Sequence, residues 1–301
     1  MSETLQTDDG LKLAVHVFGP EDVPVTVVLA HCWTLDSADW HYQVRDLQRE
    51  FGHRIRIVTW DHRGHGQSEG GSRRDCRIEL LARDMGAVID EFARGKLVLA
   101  GHSIGGMTMM GLAQERPDLL DRVVGAVFVS TSSGRMDTVT LGLPEMGPFL
   151  RAQIPRMLAL RSRTLSKRAR RRAPIIERRI VRTFVFGKPM RLVDAAQTVE
   201  GLINSSADTV VGYYEDFMKH ERTDALTAYD GIPTHVLVGT RDVLTPPEHA
   251  RRIADSIKGA ILTVVPDAGH MLPFEREELV SGVLIRLVRP HLAPAGSSAD
   301  G

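Results

Sequence analysis

A serine hydroxyl becomes a useful nucleophile when a histidine takes its proton and a carboxylate orients that histidine. The chain offers all three on loops. Gly101-His-Ser103-Ile-Gly105 fits the spacing G-x-S-x-G. It follows an apolar, strand-like run at 96–100 and opens a helix-like run at 103–116, the context such a serine needs. A sharp strand-to-helix turn lifts the hydroxyl above a sheet, and flanking glycines let backbones approach closely. The helix N-terminus adds free N–H groups where a developing oxyanion would sit. A glycine-rich turn with a capping serine is the plainer alternative. Of twelve histidines, His270 lies in Pro266-Asp-Ala-Gly-His270, after the last strand-like run. Asp242 closes Gly239-Thr-Arg-Asp242, after the preceding one. In a parallel sheet all three loops fall at one edge, the carboxyl ends of the strands. A capping aspartate before Thr245-Pro246-Pro247 and an ordinary loop histidine are the bland readings of the last two.

The elements that must position these groups alternate. Residues 4–7 and Lys12–Phe18 read as a hairpin around Asp8-Asp9-Gly10. Val25–Ala30 is a continuous apolar run, as a strand covered on both faces requires. Helical spacing follows at 36–50 and 77–92, with strands at 54–60, 96–100 and 123–130. No convincing strand occurs from 135 to about 230. The alternation then resumes with strands at Thr234–Gly239 and Ile261–Val265 and helices at 247–257 and 275–291. The expected fold class is α/β, a mostly parallel central sheet with helices on both faces and a helical lid insertion. Residues 1–135 and 232–293 form the core domain, 136–231 the lid, and 294–301 a polar tail.

Composition narrows the function. Of 301 residues, 43% are hydrophobic and 25% charged, the balance of a globular protein. Lys+Arg and Asp+Glu are each 38, so no global basic charge points to nucleic acid. No apolar run reaches transmembrane length, and the first ten residues have neither a basic nor an apolar leader region. Two cysteines, Cys32 and Cys76, are too few for a disulfide scaffold and fit thiols in a cytoplasmic protein. Neither cysteines nor histidines show zinc-site spacing. No metal or organic cofactor is implied.

Together with Leu29-Ala-His31-Cys-Trp33 and Asp61-His-Arg-Gly-His-Gly-Gln-Ser68, these motifs resemble the α/β-hydrolase superfamily over nearly the whole chain outside the insertion. The nearest groups are lid-bearing bacterial esterases, monoacylglycerol-lipase-like enzymes and cofactor-free haloperoxidase-type proteins. The resemblance implies a serine hydrolase cleaving carboxylic esters through Ser103, His270 and Asp242 and an acyl-enzyme. It implies an oxyanion hole from the N–H groups of Ile104 and Trp33, with His31 supporting the loop. Cys32 stands where the family commonly has glycine, and a side chain there narrows the allowed backbone angles. It also implies that the Asp61–Ser68 segment, including His62 and His65, is a structural turn. C–C bond, thioester or lactone hydrolysis and perhydrolysis are alternatives on the same triad. A non-catalytic receptor for a small ligand is the alternative of another class.

Between Arg151 and Arg191 stand 14 Lys/Arg and one acidic residue, Glu177, so this stretch carries +13 and the remainder −13. Ile154, Met157, Leu158 and Leu165 can share one helical stripe, and Ile176, Ile180 and Phe184 another. Such basic amphipathic helices can rest on an anionic membrane or attract an anionic substrate. The plainer reading is a solvated lid face whose charges pair with acids such as Asp216 and Glu221. The run lacks interleaved aromatics for stacking nucleic-acid bases. By fold analogy the lid covers Ser103 and supplies an apolar substrate pocket from Met146, Phe149, Leu150 and Phe217, beside His31 and Cys32. Met107, Met109 and Met110 read as core filler.

Overall fold

The computed structural model describes residues 2–70, 72–140 and 147–292. Eight strands form one sheet in the order β1-β2-β4-β3-β5-β6-β7-β8. They are β1 (Ser2–Gln6), β2 (Lys12–Phe18), β3 (Val25–Ala30), β4 (Arg56–Trp60), β5 (Lys96–His102), β6 (Val123–Val129), β7 (Thr234–Gly239) and β8 (Ile261–Val265). The β1–β2 hairpin and the β2–β4 pair are antiparallel; from β4 to β8 every pair is parallel. The helices around them are α1 (His41–Phe51), α2 (Ile78–Phe92), α3 (Ile104–Glu115), α9 (Pro247–Asp255), α10 (Leu272–Glu275) and α11 (Glu277–Val288). Between β6 and β7 come α4 (Gly147–Thr164), α5 (Lys167–Arg172), α6 (Ile175–Ile180), α7 (Leu192–Asn204) and α8 (Ala207–Phe217), with no strand among the described residues.

The two-residue period of a strand sends neighbours to opposite faces. Val28 and Ala30 of β3 and Leu97 and Leu99 of β5 join the layer holding Met85, Val88, Met109 and Leu112 of α2 and α3. Val27, Leu29, Val98 and Ala100 join the other, against Val44 and Leu47 of α1 and Val280 and Leu284 of α11. Burial on both faces explains why these strands are apolar without alternation.

Two expected helices are divided. Residues 37–40 form a 3-10 turn capped by Asp36, whose carboxylate accepts from the Ala38 N–H, before α1 begins. The expected helix at 275–291 breaks at Arg276, whose backbone (φ −141°, ψ 50°) separates α10 from α11. The tail 294–301 lies outside the described residues.

The Asp61–Ser68 turn is built for position. Arg63 is 3% exposed and forks onto both oxygens of buried Asp84 at 2.6 and 2.7 Å, while also meeting Asp9. Its carbonyl accepts from Tyr213 of α8 at 3.0 Å, tying the turn to the helices after β6. Bidentate guanidinium–carboxylate pairing fixes orientation as well as charge. Arg63→Met leaves the Asp84 carboxylate buried without its counter-ion. The expected loss is about 3–5 kcal/mol of unfolding free energy in urea melts.

Candidate active site

Ser103 follows the last residue of β5 and precedes α3, at φ 55° and ψ −115°. This is the left-handed half of backbone space, which L residues rarely enter. The side chain makes no capping bond to α3, so the capping-serine reading does not describe it. The elbow depends on missing Cβ atoms. One added at Gly105 would lie 2.2 Å from the Ala30 carbonyl oxygen of β3, and one at Gly101 would lie 2.4 Å from the Gly105 carbonyl carbon.

After β7, Asp242 is buried and accepts N–H bonds from Leu244 (3.0 Å) and Thr245 (2.9 Å) on Oδ1. Its Oδ2 accepts the Thr245 hydroxyl at 2.9 Å and pairs with His270 Nδ1 at 2.9 Å. A carboxylate oxygen can only accept here, so Nδ1 carries the proton and Nε2 is left as the basic nitrogen. Burial opposes the charge on Asp242. The charge and N–H bond of His270, with the two Thr245 bonds, nonetheless hold its carboxyl below the usual range. Asp242 thus both caps a turn and holds an imidazole. Thr245 was not singled out from sequence; its only signal was a hydroxyl three residues beyond the acid.

The His270 loop is clamped from several sides. Glu275 accepts N–H bonds from Gly269 and Met271 and, across the molecule, from Gly187. The His270 N–H donates to the Val185 carbonyl at 2.8 Å. Gly269 and Gly187 approach so closely that a Cβ on Gly269 would stand 2.3 Å from the Gly187 nitrogen.

The loop after β3 carries Cys32 and Trp33. Cys32 does not require a positive φ; the left-handed residue is Thr34, at 65°. No hydrogen-bond partner occupies the N–H groups of Trp33 and Ile104 among the described residues. The Cys32 N–H instead donates to Asp39 Oδ2 at 3.0 Å. Burial, reinforced by the nearby Asp39 charge, pushes the Cys32 thiol well above its ordinary pKa, which disfavours a thiolate.

Beneath these groups lies an ion pair that sequence reasoning missed. His102 is fully buried, with Nδ1 2.8 Å from Asp39 Oδ2 and Nε2 2.9 Å from the His270 carbonyl oxygen. Two acceptors on two ring nitrogens call for an imidazolium. Burial disfavours that charge, but Asp39 and the His270 carbonyl outweigh it and raise the His102 pKa. Cys32, Asp39 and His102 are close enough to share a metal ion. However, the ring offers no lone pair while both nitrogens face acceptors, and Asp39 Oδ2 already takes two N–H donors.

Ser103, Ile104, Cys32, Trp33, Thr245 and His270 line one cavity of about 140 Å³. Its remaining walls are nearly all apolar and come largely from the helices after β6, through Ile154, Leu158, Phe184, Leu202 and Phe217. Phe217 lines it as expected, meeting the Trp33 ring edge-on at 5.2 Å. Cys32 lines it too, whereas Phe149, Leu150 and His31 do not. Phe149 is 64% exposed and points away from the apolar interior. Leu150 packs against the neighbouring apolar cluster without lining the cavity. His31 is fully buried below the loop, where Nε2 accepts the His62 N–H at 2.8 Å and Nδ1 bonds the Cys32 carbonyl. Met146 lies outside the described residues. Met107, expected as core, lines the cavity, while Met109 and Met110 are core. His62 and His65 are buried; burial lowers both pKa values, that of His65 to about 4.

Comparison with known proteins agrees with this architecture. A putative carbamate hydrolase, RutD, of Agrobacterium fabrum is 24% identical over 88% of this chain and 93% of its own length. A karrikin insensitive 2 receptor of Petunia hybrida is 22% identical over 89% of this chain and 93% of its own. An esterase from Exiguobacterium antarcticum superposes with a TM-score of 0.77 at 20% identity, covering 96% of this chain and all of that one. Residues 27–282 match the model of the alpha/beta hydrolase family. With most of its length matched by that model, the chain belongs to the alpha/beta hydrolase family.

Proposed function

We propose that this protein is a serine hydrolase of small carboxylic esters. The observation that carries the reading is the 2.9 Å Asp242–His270 pair beside the same apolar cavity that Ser103 lines. In this reading Ser103 Oγ attacks the ester carbonyl while His270 Nε2 takes its proton. Asp242 holds the imidazole and stabilises the imidazolium. The free N–H groups of Ile104 and Trp33 receive the oxyanion. His270 then returns the proton to the departing alcohol, leaving an acyl group on Ser103. Water, losing a proton to the same nitrogen, releases the acid. The helices after β6 act as the lid, and the two buried free thiols suit a cytoplasmic setting.

Cavity size argues for a small acyl group. A void near 150 Å³ holds about one benzene, so 140 Å³ suits acyl groups of a few carbons. Asp39 and His102 act as positioning residues, since their pair joins the oxyanion loop, the residue before the nucleophile and the His270 backbone.

Ser103→Ala is expected to abolish turnover of p-nitrophenyl acetate, and Asp242→Asn to lower kcat about 10⁴-fold. Near-full activity in Asp242→Asn would remove it as the acid. Ligand binding without turnover by the native chain would favour a receptor. A panel of esters, carbamates, thioesters, lactones and β-diketones separates the remaining chemistries.

Across p-nitrophenyl esters, kcat/KM should fall at least about tenfold from butyrate to palmitate, because overfilling a packed pocket costs roughly 1–3 kcal/mol. Leu158→Ala should shift the preference toward octanoate.

The raised His102 pKa has a sign. Its contribution to stability is complete below the unfolded value of about 6.5 and is lost as pH rises through the higher folded value. Asp39→Asn should cost about 3–5 kcal/mol near pH 6 and flatten that pH dependence in urea melts. ¹⁵N NMR of the native protein should show both His102 ring nitrogens protonated at pH 6.

A further inference from the structure

Outside the catalytic cavity, the face built by α6 and α7 has unspent chemistry. A groove of about 570 Å³ runs between them, with an apolar floor that includes Val181, Met190, Val199 and Ile203. Arg178 and Arg182 line it, and neither guanidinium has an ion pair or hydrogen bond among the described residues. This sets them apart from Arg161, Arg163, Arg171 and Arg191, which pair with Glu177, Asp208, Glu200, and Asp194 with Glu277. The acids expected to neutralise this region are used elsewhere: Asp216 accepts the Ile78 N–H, and Glu221 binds Thr223 and the Arg135 N–H.

Apolar exposure concentrates in the same part of the chain. Of eight exposed large hydrophobic residues among those described, seven lie between Phe149 and Val193. Three belong to this face: Leu192 at 79% exposed, Val193 at 67% and Ile175 at 74%, the last one helical turn before Arg178 and Arg179. Singly exposed aliphatic residues need no explanation, whereas a cluster of them beside unpaired cations does. The combination suits a surface that is anionic outside and apolar a few ångströms deeper, as at the headgroup–acyl boundary of an anionic bilayer. A nucleic acid would find the charge but no aromatic stacking partners on these two helices.

We propose that the α6–α7 face docks on anionic lipid bilayers, with Arg178, Arg179 and Arg182 on lipid phosphates and Ile175, Leu192 and Val193 entering the acyl boundary. Docking is independent of the proposed ester chemistry and is read without it.

The test is co-sedimentation of the full chain with phosphatidylcholine vesicles, with and without phosphatidylglycerol, at low and high salt. The native protein should pellet with the anionic vesicles at low salt and be released by high salt. The triple substitution Arg178→Gln, Arg179→Gln, Arg182→Gln should weaken partitioning about a hundredfold, from roughly a fivefold loss per cation near the surface. The corresponding triple lysine variant should retain most of it. Leu192→Ser with Val193→Ser should weaken binding that persists at intermediate salt. Circular dichroism and thermal unfolding check that each variant is folded. Equal pelleting with neutral and anionic vesicles, no pelleting of the native protein, or undiminished binding of the glutamine variant would overturn the proposal. Salt-sensitive capture of DNA in place of vesicles would also overturn it.

Discussion

The fold is organised around a backbone conformation that a serine resists. At φ 55° Ser103 sits where an L side chain costs about 1–3 kcal/mol, and such strain persists only when its surroundings leave no alternative. Those surroundings are specific. The Ser103 N–H is held by the Val129 carbonyl of β6 and its own carbonyl by the Thr131 hydroxyl, while Gly105 lets α3 abut Ala30 of β3. Three adjacent parallel strands must therefore be in register before the hydroxyl can be presented. Thr34 and Asp267, also at positive φ, sit on the neighbouring loops after β3 and β8. Strain is concentrated at the edge of the sheet where the site lies.

Holding three strained loops together requires directional bonds, since apolar contacts do not fix angles. The Asp39–His102 pair and the Glu275 carboxylate supply them. Each reaches across elements far apart in sequence and is largely or fully shielded from water, where polar bonds are strong and unpaired groups costly. The result is a site whose framework is polar beneath and apolar above. Asp39, His102 and Glu275 set the positions, and the described residues lining the cavity include no Asp, Glu, Lys or Arg.

Much of this was legible in the sequence because it follows from local rules. β3, β7 and β8 coincide with their apolar runs, and the spacing around Ser103, Asp242 and His270 put all three at one sheet edge. What was hidden depends on contacts between distant segments. Nothing near His102 indicates that Asp39 will face its ring, and nothing near Glu275 indicates that Gly187 will reach it. The cavity walls were the least legible. Phe149 and Phe217 are both aromatic residues of the insertion, yet one faces solvent and the other meets Trp33. Periodicity gives a helix an inner and an outer face but does not say which neighbour the inner face meets. Met107 illustrates this from the other side: the helix α3 that buries Met109 and Met110 turns Met107 toward the cavity.

The segment 175–185 carries two environments at once, and its geometry explains how. Helical spacing places Glu177 and Val181 inward and Ile175, Arg178, Arg179 and Arg182 outward. From Val181 to Val185 the helix widens to a π turn. The wider turn adds a residue per revolution, so that Phe184 and Val185 can both face the cavity that Ser103 lines while Arg182 remains on the outer groove. The same turn ends where the Val185 carbonyl receives the His270 N–H. The wall between the basic surface and the ligand cavity is thus one helical turn thick, and it is bonded directly to the loop that carries the proposed base.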